Sequence, residues 1–200
     1  MAVIINASTS TGLVQSADTS GIIQFQSNGS TKATLNSSGF SYPGAVLQVV
    51  SAIKTDTFTT TSTSYVDITG LTVNITPSST SSKILIITTV TYGGGTNSYG
   101  FGRLVRNGTP IALGNDDGAL RTECTFPMNI ENTVSGSAKT QCGGMTVLDS
   151  PATISAITYK IQTIAAYGGT TTTVNRNDAN SNDYFTGLGV STITVMEIAA

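Results

Sequence analysis

The feature that most constrains the fold is a series of strand-like runs, rich in β-branched residues and separated by turn signals, between residues 45 and 200. The longest run is KILIITTVTY over residues 83–92, and the last is STITVMEI over residues 191–198. Other runs include VLQVVSAIK over residues 46–54, SYVDI over 64–68, LTVNIT over 71–76 and ISAITYKIQTIAA over 154–166. Runs of this length and composition are typical of β-strands. No stretch combines helical periodicity with caps and sufficient length, so we expect very little helix. The chain is therefore predicted to be all-β.

Composition supports this prediction and refines it. The 200 residues include 35 Thr, 23 Ser and 21 Gly, which suit half-buried sheet faces and turns. Only 10% of the residues are charged, against about a quarter in ordinary globular proteins. We count roughly eight to ten short strands after the first segment, a number that fits a two-sheet sandwich, most simply a jelly roll.

The sequence pattern at the beginning of the chain differs from that of the rest. It reads GIIQFQSNGSTKATLN around Asn28-Gly29, a dipeptide that favours a tight hairpin turn. A single hairpin is marginally stable in water, so the head, a neighbouring protein or further copies must cover its apolar side chains. The turn signal SYPG then divides the chain into an N-terminal anchor segment, residues 1–43, and a head domain, residues 44–200. The side chains that the anchor buries are predicted to be Ile22, Ile23, Phe25 and Leu35.

The last strand-like run is apolar on both of its faces. Ile193 and Val195 fall on one face, and Met196 and Ile198 fall on the other. A strand of this kind is covered on both sides. In a sandwich the opposing sheet covers one face, so either another subunit or an overlying loop covers the second. We predict a subunit interface that contains these four residues.

Charge and composition argue against several functions. The net charge is −2 and the nine Lys and Arg residues are scattered, whereas nucleic-acid binding needs a clustered basic face. The N-terminus lacks the features of a signal peptide, and no apolar run approaches the roughly 18 residues of a membrane span. We therefore expect a soluble protein that is made in the cytoplasm and binds neither nucleic acid nor the membrane interior.

The chain offers little for catalysis. It contains no His, so Ser-His-Asp triads and His-based zinc sites are impossible. Its 11 carboxylates are spread singly apart from Asp116-Asp117, which fits a turn. No phosphate-binding glycine motif is present. We predict no enzymatic activity, no cofactor and no bound metal.

Several aromatic residues lie in segments that the sequence predicts to be loops. They are flanked by Gly, Ser and Asn, and such tyrosines make adaptable contact surfaces whose aromatic faces suit sugar rings. Alternatively, they cover the ends of the sandwich. The candidate host-contact residues are Tyr92, Tyr99, Phe101 and Tyr184.

Two arginines and two cysteines leave alternatives open. Arg103 and Arg106 either form inter-subunit pairs with carboxylates such as Glu197 or are exposed strand charges. Cys124 and Cys142 could pair only if the fold brings them together. Because synthesis in a reducing compartment disfavours a disulfide, we expect two free, buried thiols.

Parts of the chain resemble a known group of proteins. The block KTDTFTTTSTSYVDITGLTVNITPSSTSSKILIITTVTYG, the later RLVRNGTPIALG and the terminal STITVMEIAA together resemble tail-fibre and related virion proteins of marine and freshwater bacteriophages. The earlier LVQSADTSGIIQFQSNGSTKATLNSSG resembles the short hairpin modules that connect or anchor the head domains of phage fibres. The two resemblances together cover nearly the whole chain.

This resemblance implies a homotrimer of jelly-roll heads, similar to the trimeric tumour-necrosis-factor and complement-type domains, with the terminal strand near the threefold axis. It also implies a place in the virion, attachment to a tail or capsid protein through the N-terminal segment, and a head that binds a host-surface glycan or protein. The chain is short and has no repetitive shaft, so a head-fibre or capsid decoration protein is the alternative to a short tail fibre.

Overall fold

A computed structural model describes residues 20–37, 39–94, 98–115, 120–130, 140–166, 168, 170–180, 184 and 186–200. None of these residues lies in a helix, and most of them lie in antiparallel β-strands. The all-β prediction is therefore confirmed. The strands from residue 46 onward form the two-sheet sandwich that the sequence indicates.

Fourteen strands are described. The first seven are β1 (Ile23–Ser27), β2 (Ser30–Asn36), β3 (Gly39–Ser41), β4 (Val46–Lys54), β5 (Phe58–Thr60), β6 (Val66–Ile75) and β7 (Lys83–Gly94). The remaining seven are β8 (Ser98–Arg106), β9 (Thr109–Ile111), β10 (Phe126–Ile130), β11 (Thr140–Asp149), β12 (Ile157–Ala165), β13 (Thr172–Val174) and β14 (Ser191–Ile198).

The chain separates into two compact units, Met1–Ala45 and Val46–Ala200, which we call the N-terminal unit and the head. The N-terminal unit contains a three-stranded sheet in the order β1-β2-β3, the N-terminal sheet. β1 and β2 form the predicted hairpin, whose turn places Asn28 at φ 50° and Gly29 at φ 73°. Both values lie in the left-handed region that Gly and Asn adopt most easily, which explains this dipeptide at the turn.

The head contains a six-stranded sheet whose centre is the longest strand, β7. β11 pairs with one edge of β7, from Asp149 opposite Ile84 to Thr140 opposite Gly93, and β14 and β13 share the other edge. β4 pairs with the far side of β14, and β5 pairs with the far side of β13. Four long strands therefore lie side by side in the order β4-β14-β7-β11. The terminal strand is central in its sheet, which explains why it is so apolar.

The second sheet of the head has the order β10-β8-β12-β6, with β9 beside β10 on the same edge of β8. Burial alternates residue by residue along β12, as it does along β14 in the other sheet. Each of these strands therefore buries one side against the opposing sheet and directs the other side outward.

The core of the head lies between the two sheets and consists mainly of aliphatic side chains. Burial of each such side chain contributes about 1.5–3 kcal/mol to the stability of the folded state. Core residues with no exposed surface include Ile68, Leu71, Ile84, Ile86, Ile161, Ile193 and Val195.

A polar network joins the two sheets at one end of β11. The Tyr159 hydroxyl donates to Asp149 Oδ2 (2.6 Å), and Arg106 Nη1 donates to both Asp149 oxygens (2.7 and 2.8 Å). Burial, together with the hydrogen bond to the Asp149 carboxylate, raises the pKa of Tyr159 well above its ordinary value. Arg106 therefore has its carboxylate partner within its own chain, and not in a second subunit.

Candidate functional site

One apolar row crosses the outer side of the six-stranded sheet. Val49 on β4 lies opposite Met196 on β14. Leu85 on β7 lies opposite Met196 on one side and opposite Leu148 of β11 on the other. These side chains point away from the core, because the flanking residues on β7 and β14 are the buried ones. Val49 and Leu148, at the two ends of the row, are 56% and 60% exposed.

Further uncharged side chains surround this row. Lys83 is the single charged residue that these four strands direct outward in the described part of the chain, and its Nζ donates to Ser150 Oγ (2.9 Å). We call the whole surface the apolar face. Beyond the row it includes Val46, Ile53, Ile87 and Ile198, together with Ser51, Thr89, Thr146, Thr192 and Thr194.

The outer side of the five-stranded sheet has the opposite character, and we call it the polar face. Arg103 Nε donates to Gln162 Oε1 (2.7 Å), and Gln162 Nε2 donates to Asp67 Oδ1 (2.6 Å). Lys160 Nζ donates to Asp67 Oδ2 (2.7 Å). The Arg103 guanidinium also lies 3.8 Å from the centre of the Tyr65 ring, a favourable cation–π contact. Hydrogen bonds from Lys160 and Gln162 hold the pKa of Asp67 below its ordinary value. Each of these charged groups therefore has a partner within the chain.

A buried carboxylate lies on the inner side of β14, between two residues of the apolar face. Glu197 has no exposed surface. Its oxygens accept hydrogen bonds from Gln48 Nε2 (2.6 Å) and from the Ser78 backbone N and Oγ (2.7 Å each). Burial by itself raises the pKa of Glu197, but the bonds from Gln48 and Ser78 outweigh it and hold the pKa below its usual value. Glu197 therefore stays anionic inside the head and is not available to an arginine of another subunit.

The structure divides the four predicted interface residues between two surroundings. Ile193 and Val195 are fully buried in the core of their own chain. They cannot contact a second subunit, because the five-stranded sheet already covers that side of β14. Met196 and Ile198 lie on the apolar face and are partly exposed. The inter-subunit role predicted for all four residues can therefore apply only to Met196 and Ile198.

The four candidate host-contact residues do not share one surface. Tyr92 is only 6% exposed; it belongs to the core, and its hydroxyl donates to Gln141 Oε1 (3.1 Å). Its assignment to a contact loop is therefore wrong, because the inner face of β7 continues through Tyr92. Tyr99 is 48% exposed and Phe101 is partly buried, two residues apart on β8. Tyr184 is fully exposed.

The N-terminal sheet is also apolar on one side. Ile23, Leu35 and Phe40 lie opposite one another on β1, β2 and β3. The Phe40 ring packs edge-on against Phe25 with centroids 5.7 Å apart, and its centroid lies 6.0 Å from that of Tyr42. Phe40 and Tyr42 were not predicted to belong to this apolar side, although the alternation in GFSY is a signal for them. Among the described residues of the N-terminal unit, the large apolar side chains that are 39% to 54% exposed are Ile22, Phe25, Leu35, Phe40 and Tyr42.

The two cysteines are free, as expected, but neither is fully buried. Cys124 is partly exposed, and burial raises the pKa of its thiol. Cys142 is exposed, because it points outward from β11. The prediction of buried thiols is therefore wrong for Cys142.

The described residues lack two kinds of feature. They contain no group of three or more His, Cys, Asp or Glu side chains that could hold a metal ion. They also contain no helix with the length and apolar character needed to cross a membrane.

Comparison with known proteins gives little further information. No protein-family model and no curated protein matches the chain. Among solved structures, the chain is similar to one from the structure of infectious bursal disease virus Gx strain, with 13% sequence identity and a TM-score of 0.35. The match covers 88% of this chain and 46% of the viral chain, so this chain spans less than half of its length. A match this weak adds nothing to the assignment of fold or function.

Proposed function

We propose that this protein is a non-enzymatic structural component of a bacteriophage virion, a short fibre whose head forms a homotrimer through the apolar face. One observation carries the proposal, namely the contrast between the two outer sides of the sandwich. The polar face matches its own charges and suits water, whereas the apolar face presents eight large apolar side chains and a single charge.

The energetic reason is the cost of leaving such a surface in water. Soluble monomers rarely expose contiguous apolar patches larger than a few hundred Å². Each Å² of apolar surface removed from water contributes about 25 cal/mol to association. A nearly uncharged face is also compatible with a second copy of itself, because no like charges meet. The number of three copies is suggested by the resemblance in sequence to trimeric phage fibre heads.

The N-terminal sheet is the proposed attachment to the virion. Its apolar side carries Phe25, Leu35, Phe40 and Tyr42, each at least 39% exposed. The described residues of the N-terminal unit supply no second layer to cover this side of the sheet. We therefore expect a tail or capsid protein, or the equivalent sheets of the other subunits, to cover it.

The proposed head contacts a glycan or protein of the host surface through exposed aromatic residues. Tyr99 and Phe101 support this role by their position on the outward side of β8, and Tyr184 by its full exposure. The alternative is a decoration protein or head fibre of the capsid, which needs the same trimer and anchor. Immunogold labelling of virions distinguishes the two, since it locates the protein on the tail or on the capsid.

The trimer contact is tested with a matched pair of acidic substitutions. Met196→Glu places a charge in the centre of the apolar face, and an unpaired charge in an interface costs several kcal/mol. Thr72→Glu places the same charge on the polar face, opposite Lys160. By light scattering we expect about three times the 20.5 kDa chain mass for the natural protein and for Thr72→Glu. We expect Met196→Glu to form no trimer.

Two results would contradict the proposal. A natural protein that is a clean monomer at micromolar concentration would exclude the trimer. Release of reducing sugar from a host polysaccharide by the purified protein would exclude a purely structural role. We base that role on the lack of His and of carboxylate pairs other than Asp116-Asp117 in the sequence.

A further inference from the structure

β11 forms an open edge of the six-stranded sheet. It pairs with β7 over ten residues without a register shift, and no other described strand pairs with it. Natural edge strands are usually protected by Pro, by charged side chains, by bulges or by being short. β11 reads TQCGGMTVLD, with no Pro and with its one charge at the last residue, Asp149. The Asp149 carboxylate turns inward to Arg106 and Tyr159. Apart from the inward-pointing Asp149 at its end, the edge has none of these protections among the described residues.

A groove lies on the outward side of β11 at its two glycines. It has a volume of about 380 Å³, and its lining includes the outward-pointing residues Ile87, Thr89, Cys142 and Thr146 around Gly143 and Gly144. A Cβ atom at residue 144 would collide with the Thr88 backbone carbonyl, so this position requires glycine. The close approach of β11 to β7 thus leaves a space without a side chain on an otherwise apolar surface.

An apolar side chain that could fill this groove lies four residues along the same strand. Leu148 points outward from β11 and is 60% exposed. Outward positions on this strand alternate, so residues 144, 146 and 148 share one side. If two β11 strands pair antiparallel with Thr146 opposite its own copy, Leu148 of each strand lies opposite Gly144 of the other. The same register places Asp149 opposite Gly143, so no like charges face each other.

We propose that β11 pairs antiparallel with β11 of a second copy, with Thr146 at the twofold axis and Leu148 seated in the Gly144 groove of the partner. The pairing would extend the six-stranded sheet into a continuous sheet across two heads. Its backbone hydrogen bonds form at the edge of the sheet, and of the apolar face it uses only the end at β11, where Leu148 and the groove lie. The pairing therefore does not depend on the trimer contact proposed above. Together the two contacts would let trimers associate further into pairs or into a lattice.

Cysteine cross-linking tests the pairing and its register. In a Cys142→Ser background, Thr146→Cys puts two thiols directly opposite each other at the proposed axis. Mild oxidation should then give a covalent dimer on a non-reducing gel, whereas Cys142→Ser alone, which retains Cys124, should not. Thr72→Cys, on the polar face opposite Lys160, is the matched control and should cross-link at least tenfold less. Equal or stronger cross-linking at residue 72 would overturn the proposal.

The same experiment in the Met196→Glu background separates the two contacts. We expect the Thr146→Cys dimer to persist there, because the edge is unaffected when the trimer contact is removed. Loss of the dimer in that background, with circular dichroism showing a folded protein, would assign the cross-link to the trimer and overturn the pairing.

Leu148→Ala tests the groove. In the Met196→Glu background, we expect it to raise the dissociation constant of the dimer about tenfold or more, because the side chain would no longer fill the groove. Sedimentation measures this constant, and an unchanged value would overturn the proposed register.

Discussion

Val195 and Glu197 both point from β14 into the interior of the head, yet different forces hold them there. Burial of the Val195 side chain stabilises the folded state because it removes apolar surface from water. Glu197 is an anion, and it tolerates burial because Gln48 and Ser78 direct hydrogen-bond donors at its oxygens. Removal of the Glu197 carboxylate would leave the donor groups of Gln48 and Ser78 buried without an acceptor, which costs about 1–3 kcal/mol. The end of β14 therefore depends on an ionised side chain.

Stability should depend on pH through Glu197. Its folded-state pKa lies below the ordinary 4.5, so its contribution is present above about pH 4.5 and is lost as pH falls through the folded pKa. We expect Glu197→Gln to lower the free energy of unfolding by about 1–3 kcal/mol at neutral pH. The difference between variant and natural protein should shrink as the pH falls below 4.5, the ordinary pKa of the group.

Urea unfolding at a series of pH values measures this difference. Asp67→Asn is the control, since Asp67 is about half exposed and its pair with Lys160 is screened by water. A smaller effect is expected there. A pH-independent loss in Glu197→Gln would contradict the role of the ionised form.

At the scale of the strand, the sequence predicts most elements but not all of their boundaries. The runs at β4, β7, β12 and β14 are long and rich in β-branched residues, so their positions are correct. β10 was missed because it contains Pro127, which argues against a strand; the structure places it at the edge of its sheet, where Pro is tolerated. SYVDI and LTVNIT were predicted as two strands, whereas β6 continues through Gly70 with a register shift in its pairing to β12. Short-range patterns do not contain such edge and bulge information.

The alternation along β14 gives a sharp test with adjacent residues. Val195→Asp places a charge in the core, and we expect a head that does not fold, because an unpaired buried charge is very costly. Thr194→Asp places the same charge on the outward side, and we expect a folded protein. Thermal unfolding followed by circular dichroism measures both variants. Similar stability of the two would mean that the faces of β14 are assigned incorrectly.

At the scale of the whole molecule, the candidate site could be predicted only in part. Met196 and Ile198 could be found because one strand contains both. Their neighbours in the row, Val49, Leu85 and Leu148, come from three other strands, and only the pairing of those strands brings them together. A surface of this kind cannot be recognised in the sequence, because its residues are far apart along the chain and each strand by itself shows ordinary alternation. Tyr92 was assigned to a loop because the glycines that follow it in the sequence suggested that the strand had ended.

The two units give a prediction about truncation. Deletion of residues 1–43 should leave a head that folds and associates as before, because the core of the head is built from later residues. The truncated protein should no longer join the virion if the N-terminal sheet is the attachment. Circular dichroism and light scattering measure the first part, and incorporation into particles measures the second. Failure of the truncated head to fold would show that the boundary between the units is misplaced, whereas normal incorporation would place the attachment on the head.

The position of β14 between β4 and β7 has a consequence for biosynthesis. β4 is the first strand of the head to be made and β14 is the last, yet they are paired over nearly their whole length. The six-stranded sheet cannot form completely until β14 has emerged from the ribosome. Until then, the inner sides of β4 and β7 in the nascent head are exposed to water. Chains whose paired strands are far apart in sequence fold slowly and are prone to aggregate before folding is complete. The low charge of this chain provides little electrostatic repulsion against aggregation before the sheet is complete. We therefore expect the yield of this protein in a host cell to depend on chaperones more than on the stability of the folded state.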